Sequence, residues 1–468
     1  MKAYTLIVIG GGSGGLVSAR VAAKLGANVA LIEKNDDIGG ECLHAGCVPS
    51  KALIAAANLA VAPRTSGAFG VAMTAKVDFR AVKQHIQSSI KAIAKHSEND
   101  EYYKSMGVDV YHGAAKFTGP DTIEVDGKQL TAKRFIISTG SRPAVPPVPG
   151  LDDVPYSTNE NIFTIDELPK RLLVIGGGPI GCELGQAFQK LGSQVTMLQT
   201  GDRLLPREEK TVSALLKSEF EALGATVLTN IKLESLKLMN GQVHAKTDRT
   251  DANSELIVDH VLVATGRTAN TDLNLDKAGV KTNDRGITIN DRLQTSNKNI
   301  YAIGDCVGGY QFTHFAAEQA GLAVRNALFP LYSKQKDRAV PWVTFTDPEI
   351  GRIGAIEDEL IASKTPYNLN KLDYAGIDKA VVEGAQGYIH ILSNPSDGKI
   401  LGATVVGPMA GEIINQIAFA YAQERPFTDL GAGLRAYPNY SFGLKQLASD
   451  ALIEKAAAKW LVKMLRLR

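Results

Sequence analysis

The chain contains 468 residues, too many for one hydrophobic core, so we expect about two to four domains. Its 44% hydrophobic and 21% charged residues are typical of a soluble globular protein, and a formal net charge of +2 argues against nucleic acid as the main partner. The few cysteines argue against a secreted disulfide scaffold, and we expect neither a signal peptide nor an apolar run long enough to span a membrane. These properties predict a cytoplasmic protein.

The first pattern along the chain is a strand, a glycine loop, a helix and a second strand. The apolar run Leu6 to Ile9 enters the motif Gly10-x-Gly12-x-x-Gly15, and the helix after it leads to a strand that ends at Glu33. The first glycine permits a tight turn, the second lets the backbone approach a pyrophosphate, and the third lets helix and strand pack closely. A carboxylate at the end of the second strand can bind a ribose hydroxyl pair, so this unit predicts a dinucleotide site.

The next feature is a cysteine pair, Cys42 and Cys47, in a glycine-containing stretch that ends at Lys51. The spacing is just over one helical turn, so a slightly distorted helix would bring the two sulfurs within bonding range. A zinc site would need two more ligands, and Cys182 and Cys306 are distant and isolated. A buried structural pair would explain neither the glycines nor Lys51, whose charge can lower the pKa of a nearby thiol. We therefore predict a redox-active pair.

The strand, loop and helix pattern recurs after the run Leu172 to Ile175, with the motif Gly176-x-Gly178-x-x-Gly181. Gln199 stands in register with Glu33 of the first unit. Because a neutral amide does not repel a 2′-phosphate and Arg203 follows closely, NADPH is as admissible here as NADH. A solvated loop charge is an equally weighted alternative for Arg203.

The rest of the chain completes an α/β organisation. Two further buried strands end in the turns Thr139-Gly140 and Thr265-Gly266, and the proline-rich stretch from Pro143 to Pro155 is typical of a linker. After Pro341, short strand-like runs mix with helices. We predict an α/β fold with two Rossmann-like dinucleotide-binding domains and a C-terminal α+β domain.

The cysteine stretch resembles the active-site signature of the class I pyridine nucleotide-disulfide oxidoreductases, which include dihydrolipoamide dehydrogenase, glutathione reductase and mercuric reductase. Ile300 to Asp305 resembles the second flavin motif of that family, Phe345 to Ile350 resembles the start of its interface domain, and the similarity covers nearly the whole chain. The resemblance implies an FAD-binding domain over residues 1–150 and 271–340, an NAD(P)-binding domain over 151–270, and an interface domain over 341–468 that forms a homodimer.

The resemblance also implies roles for individual residues. Cys47 would be the thiolate beside the flavin, Cys42 the interchange thiol that meets the substrate, and Lys51 would lie near flavin N5 in an ion pair with Glu183. The positions matched to FAD contacts are Gly10, Gly12, Gly14, Gly15, Glu33, Lys34, Gly40, Ala115 in the strand that passes the adenine, Thr139, Gly140, Gly304, Asp305 and Thr313. The positions matched to NADH or NADPH contacts are Gly176, Gly178, Ile180, Gly181, Gln199, Arg203 and Gly266. No resident metal is implied.

One stretch departs from the family pattern. Members that reduce disulfides carry His-Pro-Thr-x-x-Glu near the C-terminus, where the histidine is the acid/base, whereas this chain has Tyr437 at the histidine position and Phe442 at the glutamate position. A phenol, which ordinarily titrates at a pH of about 10, does not exchange protons near neutral pH as an imidazole does. Mercuric reductase also resembles this arrangement, but it carries a C-terminal cysteine pair that is missing here.

These observations predict an FAD-dependent NAD(P)H oxidoreductase that passes electrons through Cys42 and Cys47 to a small-molecule acceptor: a disulfide, a quinone-like compound or a soft metal ion. We rank a mercuric-reductase-like or general acceptor reductase above a dihydrolipoamide dehydrogenase. An alternative of another class is a flavin redox sensor or structural subunit without turnover.

Two further patterns carry weaker expectations. His44 lies between the cysteines, and we favour a packing or hydrogen-bonding role over that of a substitute base. The tail from Lys455 to Arg468 mixes apolar and basic residues at helical spacing. It predicts a basic amphipathic helix that packs on the protein, with contact to a membrane surface as the less favoured alternative.

Overall fold

The structure, a computed structural model, describes residues 2–251, 254–330, 332–336 and 339–457. The chain divides into two compact units. The first unit comprises Met1–Thr200 and Ile231–Asp337, and the second comprises Gly201–Asn230 and Arg338–Arg468. The three predicted functional domains have other boundaries than these two units, and those boundaries stay a prediction.

Within the described residues, the strands in chain order are β1 (Lys2–Ile9), β2 (Val29–Glu33), β3 (Val108–His112), β4 (Lys116–Phe117), β5 (Thr122–Val125), β6 (Lys128–Ile137), β7 (Ser141–Pro143), β8 (Tyr156–Ser157), β9 (Arg171–Ile175), β10 (Gln194–Gln199), β11 (Thr226–Thr229), β12 (Leu233–Met239), β13 (Gln242–Thr247), β14 (Glu255–Val258), β15 (His260–Val263), β16 (Arg267–Ala269), β17 (Thr282–Asn283), β18 (Gly286–Ile287), β19 (Ile300–Ala302), β20 (Trp342–Thr344), β21 (Ile350–Gly354), β22 (Asn368–Asp373), β23 (Tyr388–Ser393) and β24 (Ile400–Val406). The helices are α1 (Ser13–Lys24), α2 (Gly40–His44), α3 (Cys47–Val61), α4 (Pro63–Ser66), α5 (Phe79–Ser97), α6 (Asp100–Ser105), α7 (Pro179–Leu191), α8 (Lys210–Ala222), α9 (Thr313–Leu328), α10 (Glu357–Ala362), α11 (Asp378–Val382), α12 (Ala410–Ala422) and α13 (Phe442–Ala457).

The first unit is built on a parallel sheet in which β3, β2, β1, β6 and β19 lie side by side in that order. Strand β1 is buried on both faces because its apolar residues are continuous. Leu6 and Val8 join the core beneath α1 and α9, whereas Ile7 and Ile9 join the core on the opposite face. Helices covering a parallel sheet are typical of a Rossmann-like fold.

A second sheet in the same unit repeats this design. Strands β10, β9, β15 and β8 run parallel in that order. An antiparallel sheet of β12, β13 and β14 packs against it, and side chains of the two sheets share one buried core. Strand β9 leads into α7 through the second glycine loop, as β1 leads into α1 through the first.

The second unit contains an antiparallel sheet in the order β20, β21, β24, β23 and β22. Helix α12 contributes Ile413, Ile414 and Ile417 to the core, which also contains Val405 of β24 and Leu444 of α13. The predicted α/β fold with a C-terminal α+β unit is therefore confirmed. The segment with α8 and β11 belongs to this second unit.

Two sequence expectations concern membrane-spanning stretches and the basic tail. By length and composition alone, one helical stretch, Gly40–Phe69, is apolar enough to cross a membrane, with a mean hydropathy of 1.4, contrary to our expectation. Its many alanines raise the average without forming an unbroken run of large apolar residues, and the stretch consists of successive helices. The predicted basic tail helix lies outside the described residues from position 458 onward.

Candidate active site

The two cysteines of the predicted redox pair lie on different helices. Cys42 is in α2 and Cys47 is the first residue of α3, so the expected single distorted helix is wrong. The helix ends because Gly46 adopts φ −130° and ψ −112°, and a Cβ there would lie 2.9 Å from the carbonyl oxygen of Glu41. A glycine at this joint lets the chain turn back and bring the two sulfurs together.

Cys42 and Cys47 are not joined by a disulfide in this structure, and the interaction between their side chains is the largest influence on the pKa of each. Donation from Cys42 lowers the pKa of Cys47 to about 6 against the opposing effect of burial. The hydroxyl of Thr313, 3.5 Å from the Cys47 sulfur, and the charge of Lys51 lower it further. The pKa of Cys42 is strongly raised, because that thiol keeps the shared proton. At neutral pH the pair therefore holds one thiolate, at Cys47, and one thiol.

Lys51 lies four residues after Cys47, one turn further along α3. Its Nζ donates a hydrogen bond of 2.6 Å to Oε2 of Glu183, which is buried on α7. A buried carboxylate requires such a partner, because burial of an unpaired charge is costly. The ion pair joins the cysteine helix to the helix that follows the second glycine loop.

The first glycine loop is shaped by contacts that no side chain would allow. Gly10 has φ +109°, and a Cβ on it would lie 2.2 Å from the carbonyl oxygen of Ser138. A Cβ on Gly15 would lie 1.8 Å from the carbonyl oxygen of Gly10. The N–H of Gly11 donates to Oε2 of Glu33 at 2.7 Å. The loop thus presents backbone, together with the first turn of α1, and this arrangement fits a dinucleotide pyrophosphate.

The second glycine loop has the same construction. Gly176 has φ +110°, and a Cβ on it would lie 2.3 Å from the carbonyl oxygen of Ala264. The N–H of Gly177 donates to Oε1 of Gln199 at 3.0 Å. A Cβ on Gly178 would meet nothing within 4 Å, so the space before α7 is open to a ligand. The half-buried Ile180 lies in the first turn of that helix.

The remaining residues matched to FAD lie around the first loop, with one difference. Ala115 is buried, but it lies in the connection between β3 and β4 and not in a strand, because Gly113 turns the chain with φ +132°. Gly40, with φ +62°, packs on the loop, since a Cβ there would lie 2.5 Å from Cα of Gly12. Of the others, Gly14 faces the hydroxyl of Ser138, Lys34 is exposed, Thr139 donates to the carbonyl oxygen of Asn270, Gly140 and Gly304 have positive φ, and Thr313 begins α9.

Two residues matched to NAD(P) lie outside the second loop. Gly266, with φ +137°, accepts a hydrogen bond of 2.9 Å from the N–H of Ala144. Arg203 belongs to the second unit, where it donates to Asp202 at 3.0 Å and to the carbonyl oxygen of Pro206 at 3.0 Å. These local bonds support neither alternative for Arg203 over the other.

A polar network lies beside Cys42, and the sequence analysis had singled out only one of its members, Asp305. The guanidinium of Arg267 binds both carboxylate oxygens of Glu41, the residue directly before Cys42. It also donates to the hydroxyl of Ser141 at 2.7 Å, and that hydroxyl donates to Oδ2 of Asp305 at 2.6 Å. Asn159 completes the set by donating to Glu41. We call Glu41, Asn159, Arg267, Ser141 and Asp305 the Glu41 network.

Tyr437, in the second unit, is exposed, and its hydroxyl lies 2.5 Å from Oδ2 of Asp378. That hydrogen bond to a carboxylate raises the pKa of Tyr437 above its usual value. The phenol therefore stays protonated at neutral pH and acts as a hydrogen-bond donor. Asp378, the first residue of α11, was not singled out from the sequence, where no local pattern connects it to Tyr437.

The remaining candidate residues, His44, Cys182 and Cys306, have surroundings that fit structural roles. Nε2 of His44 lies 2.9 Å from the carbonyl oxygen of Ile38, as expected for a packing role. Cys182 and Cys306 are fully buried, and burial raises the pKa of Cys306 to about 11. Among the described residues, no group of three or more His, Cys, Asp or Glu side chains is placed to hold a metal ion.

Comparison with known proteins gives one consistent family. Residues 4–320 match the pyridine nucleotide-disulphide oxidoreductase family model, and residues 340–448 match the dimerisation domain of the same family. A dihydrolipoyl dehydrogenase of Thermus scotoductus is 36% identical over 97% of this chain and 99% of its own length. A mercuric reductase of Bacillus cereus is 34% identical over 94% of this chain and 70% of its own length.

Solved structures agree with these matches. The Cu(II) complex of the HOCl-induced flavoprotein disulfide reductase RclA from Escherichia coli superimposes with a TM-score of 0.86 at 27% identity, and the match covers 96% of this chain and 99% of that one. LpdA from Mycobacterium tuberculosis superimposes with a TM-score of 0.87 at 26% identity, with 96% and 100% coverage.

Proposed function

Because the chain belongs to the pyridine nucleotide-disulphide oxidoreductase family, we propose that it is a reductase whose Cys42 and Cys47 pass electrons to a disulfide, quinone-like or soft metal-ion acceptor. Enzymes of this family depend on FAD and take electrons from NAD(P)H, and this chain is one of them. Its dimerisation domain supports a homodimer. The observation that carries the proposal is the pair Cys42 and Cys47 at adjoining helix ends, with the hydroxyl of Thr313 3.5 Å from the Cys47 sulfur and the Lys51–Glu183 ion pair one turn further along α3.

The two glycine loops support the assignment of the two cofactors. FAD would be held by the first loop with Glu33 and Asp305, within a domain of residues 1–150 and 271–340. The reduced nicotinamide cofactor would be held by the second loop with Gln199, within residues 151–270, and residues 341–468 would form the dimer interface. When bound, FAD supplies the change from two-electron hydride chemistry to thiol chemistry.

The thiol chemistry follows from the protonation of the pair. Cys47 holds the thiolate, stabilised by the Lys51 charge, and Cys42 holds the proton. When the pair reduces an external disulfide, the S–S bond of the acceptor breaks and one S–S bond forms between Cys42 and Cys47. The pair supplies two electrons and the Cys42 proton, and the solvent supplies the second proton for the two product thiols. Cys42 would attack the acceptor as a thiolate after passing its proton to Cys47, which lies beside Thr313 and the Lys51 charge, and Cys47 would then give that proton to the leaving thiolate.

Tyr437 supports the choice of acceptor. We place it where disulfide-reducing relatives carry their acid/base histidine, and its bond to Asp378 keeps the phenol protonated. A phenol that keeps its proton donates a hydrogen bond but does not serve as a base near neutral pH. This favours acceptors that need no base on the protein, such as a soft metal ion bound by two sulfurs.

Dihydrolipoamide oxidation is the second candidate. It is favoured by the dihydrolipoyl dehydrogenase of Thermus scotoductus, which is 36% identical over almost the full length of both proteins. Against it stands Tyr437, since oxidation of a dithiol requires a group that removes protons from the substrate.

The test is an anaerobic titration of the flavin-loaded protein with NADH and with NADPH, followed by steady-state assays with lipoamide, glutathione disulfide, quinones, Hg(II) and Cu(II). We expect loss of the flavin absorbance and turnover with at least one soft metal ion or quinone at a rate above that with lipoamide. Flavin reduction without turnover would favour the redox sensor, and rapid lipoamide turnover would favour the second candidate.

A further inference from the structure

The carboxylate of Glu41, directly before Cys42, accepts hydrogen bonds from the side chains of Arg267 and Asn159. Glu41 receives two parallel hydrogen bonds from the two terminal nitrogens of Arg267, one to each carboxylate oxygen. Such bidentate, charge-assisted pairs are among the strongest side-chain contacts in proteins. Asn159 is buried and donates both to Oε1 of Glu41 and, at 3.0 Å, to the carbonyl oxygen of Ala45.

Asn159 therefore holds α2 at both ends, since Glu41 stands at its start and Ala45 follows its last residue. The helix needs such support. It has only five residues, its N-cap is Gly39 with no side-chain cap, and a helix of this length is unstable without tertiary contacts. Leu43 is its single buried residue.

The other side of the Glu41 network is equally fixed. Strand β16 pairs with β7, so that Arg267 lies opposite Pro143 and close to Ser141. The Arg267 side chain is only 11% exposed, and its guanidinium donates both to the hydroxyl of Ser141 at 2.7 Å and to its carbonyl oxygen at 3.0 Å. The hydroxyl of Ser141 then reaches Asp305 at 2.6 Å. Residues from four separate segments thus form one network, in which Asn159 and Arg267 contact the helix that carries Cys42.

We propose that Glu41 is a positioning residue for the redox pair: its carboxylate, held by Arg267 and Asn159, fixes α2 so that Cys42 is held against Cys47. This deepens the proposed function and rests on it, because it takes the two cysteines as the redox pair. Cys42 and Cys47 are joined by a turn that contains Gly46. Because a glycine turn does not fix the orientation of α2, the position of this helix depends on contacts with other segments.

Two properties of the pair depend on this positioning. The stability of a Cys42–Cys47 disulfide rises with the effective concentration of one thiol at the other, which falls when α2 is loosened. The hydrogen bond from Cys42 is also the largest cause of the low pKa of Cys47. The other groups that act on the pair, Thr313, Lys51 and Glu183 at Cys47 and Glu98 at Cys42, lie outside the Glu41 network, so we expect a change at Glu41 to leave them in place.

The test uses the flavin-loaded protein equilibrated with mixtures of reduced glutathione and glutathione disulfide. Two glutathione molecules supply two electrons and two protons to the Cys42–Cys47 disulfide and leave as glutathione disulfide, so the free thiols counted by mass spectrometry give the equilibrium constant. In Glu41→Gln we expect the equilibrium to move about tenfold toward the dithiol, which is the loss of one charge-assisted contact. The pH midpoint of Cys47 alkylation should rise in the same variant.

Three further variants make the test specific. Glu41→Asp, with a shorter carboxylate, should show a smaller shift. Arg267→Lys should reproduce much of the Glu41→Gln shift, and the double variant should be no worse than the larger single one, because both remove the same contact. Glu160→Gln, which removes an exposed glutamate next to Asn159, should leave the equilibrium unchanged.

A merely structural role predicts something different: lower melting temperature or flavin content, with an unchanged equilibrium constant and alkylation profile in the folded protein. That result in Glu41→Gln or Arg267→Lys would overturn the proposal. Since the glutathione equilibrium needs neither NAD(P)H nor an acceptor, failure of the proposed function would appear separately, as a wild-type disulfide that NAD(P)H does not reduce.

Discussion

The two glycine loops of the first unit share a backbone design but differ in charge and in what packs on them. In each loop the N–H of the residue after the first glycine binds a side chain at the end of the next strand, Glu33 in one and Gln199 in the other. The first loop is covered by Gly40 of α2, whereas a Cβ on Gly178 of the second would meet nothing within 4 Å.

This difference assigns separate tasks to two copies of one motif. The backbone geometry is common to both because any dinucleotide pyrophosphate needs it. The loops differ in the side chain at the strand end and in the neighbour that packs on the loop, and we propose that these differences set cofactor selectivity. On the proposed assignment, the first loop holds FAD beside the cysteine pair, and the second is open to the nicotinamide cofactor, which must enter and leave.

The largest expected effect tests the shared backbone. Gly15→Ala and Gly181→Ala each place a methyl group about where a carbonyl oxygen lies, since the Cβ atoms would be 1.8 and 2.0 Å from it. We expect each to cost at least about 3 kcal/mol of unfolding free energy, measured by urea denaturation. Gly15→Ala should also lose flavin on gel filtration, and Gly181→Ala should keep it.

Gly321→Ala is the matched control. This glycine lies inside α9, and a Cβ on it would meet nothing within 4 Å, so alanine should be neutral or slightly stabilising. Retention of flavin by Gly15→Ala at wild-type stability would contradict the assignment of the first loop.

The next effect tests the charge difference between the loops. Gln199→Glu gives the second loop the carboxylate of the first while keeping an oxygen acceptor for the N–H of Gly177. We expect the KM for NADPH to rise about tenfold, because a carboxylate repels a 2′-phosphate, with little change in the KM for NADH. Steady-state kinetics with both cofactors measure this.

The reverse exchange, Glu33→Gln, is the companion variant. It keeps an acceptor for Gly11 and should weaken flavin retention without changing selectivity between NADH and NADPH. Equal changes in both KM values for Gln199→Glu would show that Gln199 does not face the 2′ position.

The smallest effect concerns the ion pair that joins the cysteine helix to the helix of the second loop. Because the pKa of Cys47 is lowered to about 6, its alkylation rate should rise with pH through that value and then level off. Lys51→Met should raise the midpoint, since the Lys51 charge favours the thiolate, and Glu183→Gln should lower it, since Glu183 opposes the thiolate. We expect shifts of about half a unit to one unit, measured by the pH dependence of iodoacetamide labelling.

Lys91→Met, at an exposed lysine on α5, serves as the control and should leave the midpoint unchanged. Shifts of the same sign in the Lys51 and Glu183 variants would mean that a structural change, and not their charges, acts on Cys47.

Both loops could be predicted from the sequence because their requirements are local. Glycines at fixed spacing between an apolar run and a helix specify the turn, and Gln199 was found by register with Glu33. The cysteine pair could also be predicted from the local sequence. The division of the expected helix at Gly46 could not, because it follows from a backbone conformation that residue spacing does not reveal.

Contacts between distant segments could not be found in this way. Arg267 and Glu41 are 226 positions apart, and nothing near either residue signals the other. The bond between Tyr437 and Asp378 depends likewise on how α11 packs in the second unit. Side-chain partners of this kind are set by tertiary packing, which has no short-range signature.

The contact between Gly40 and Gly12 has a consequence for how the enzyme can change over time. A methyl group on Gly40 would press against a backbone atom of Gly12 at 2.5 Å, and Gly12 has no side chain to shorten in response. A second substitution at Gly12 therefore cannot compensate for a side chain at Gly40. We therefore expect the loop proposed to hold FAD and the helix α2, which carries Cys42, to be inherited, or transplanted into another scaffold, as one piece.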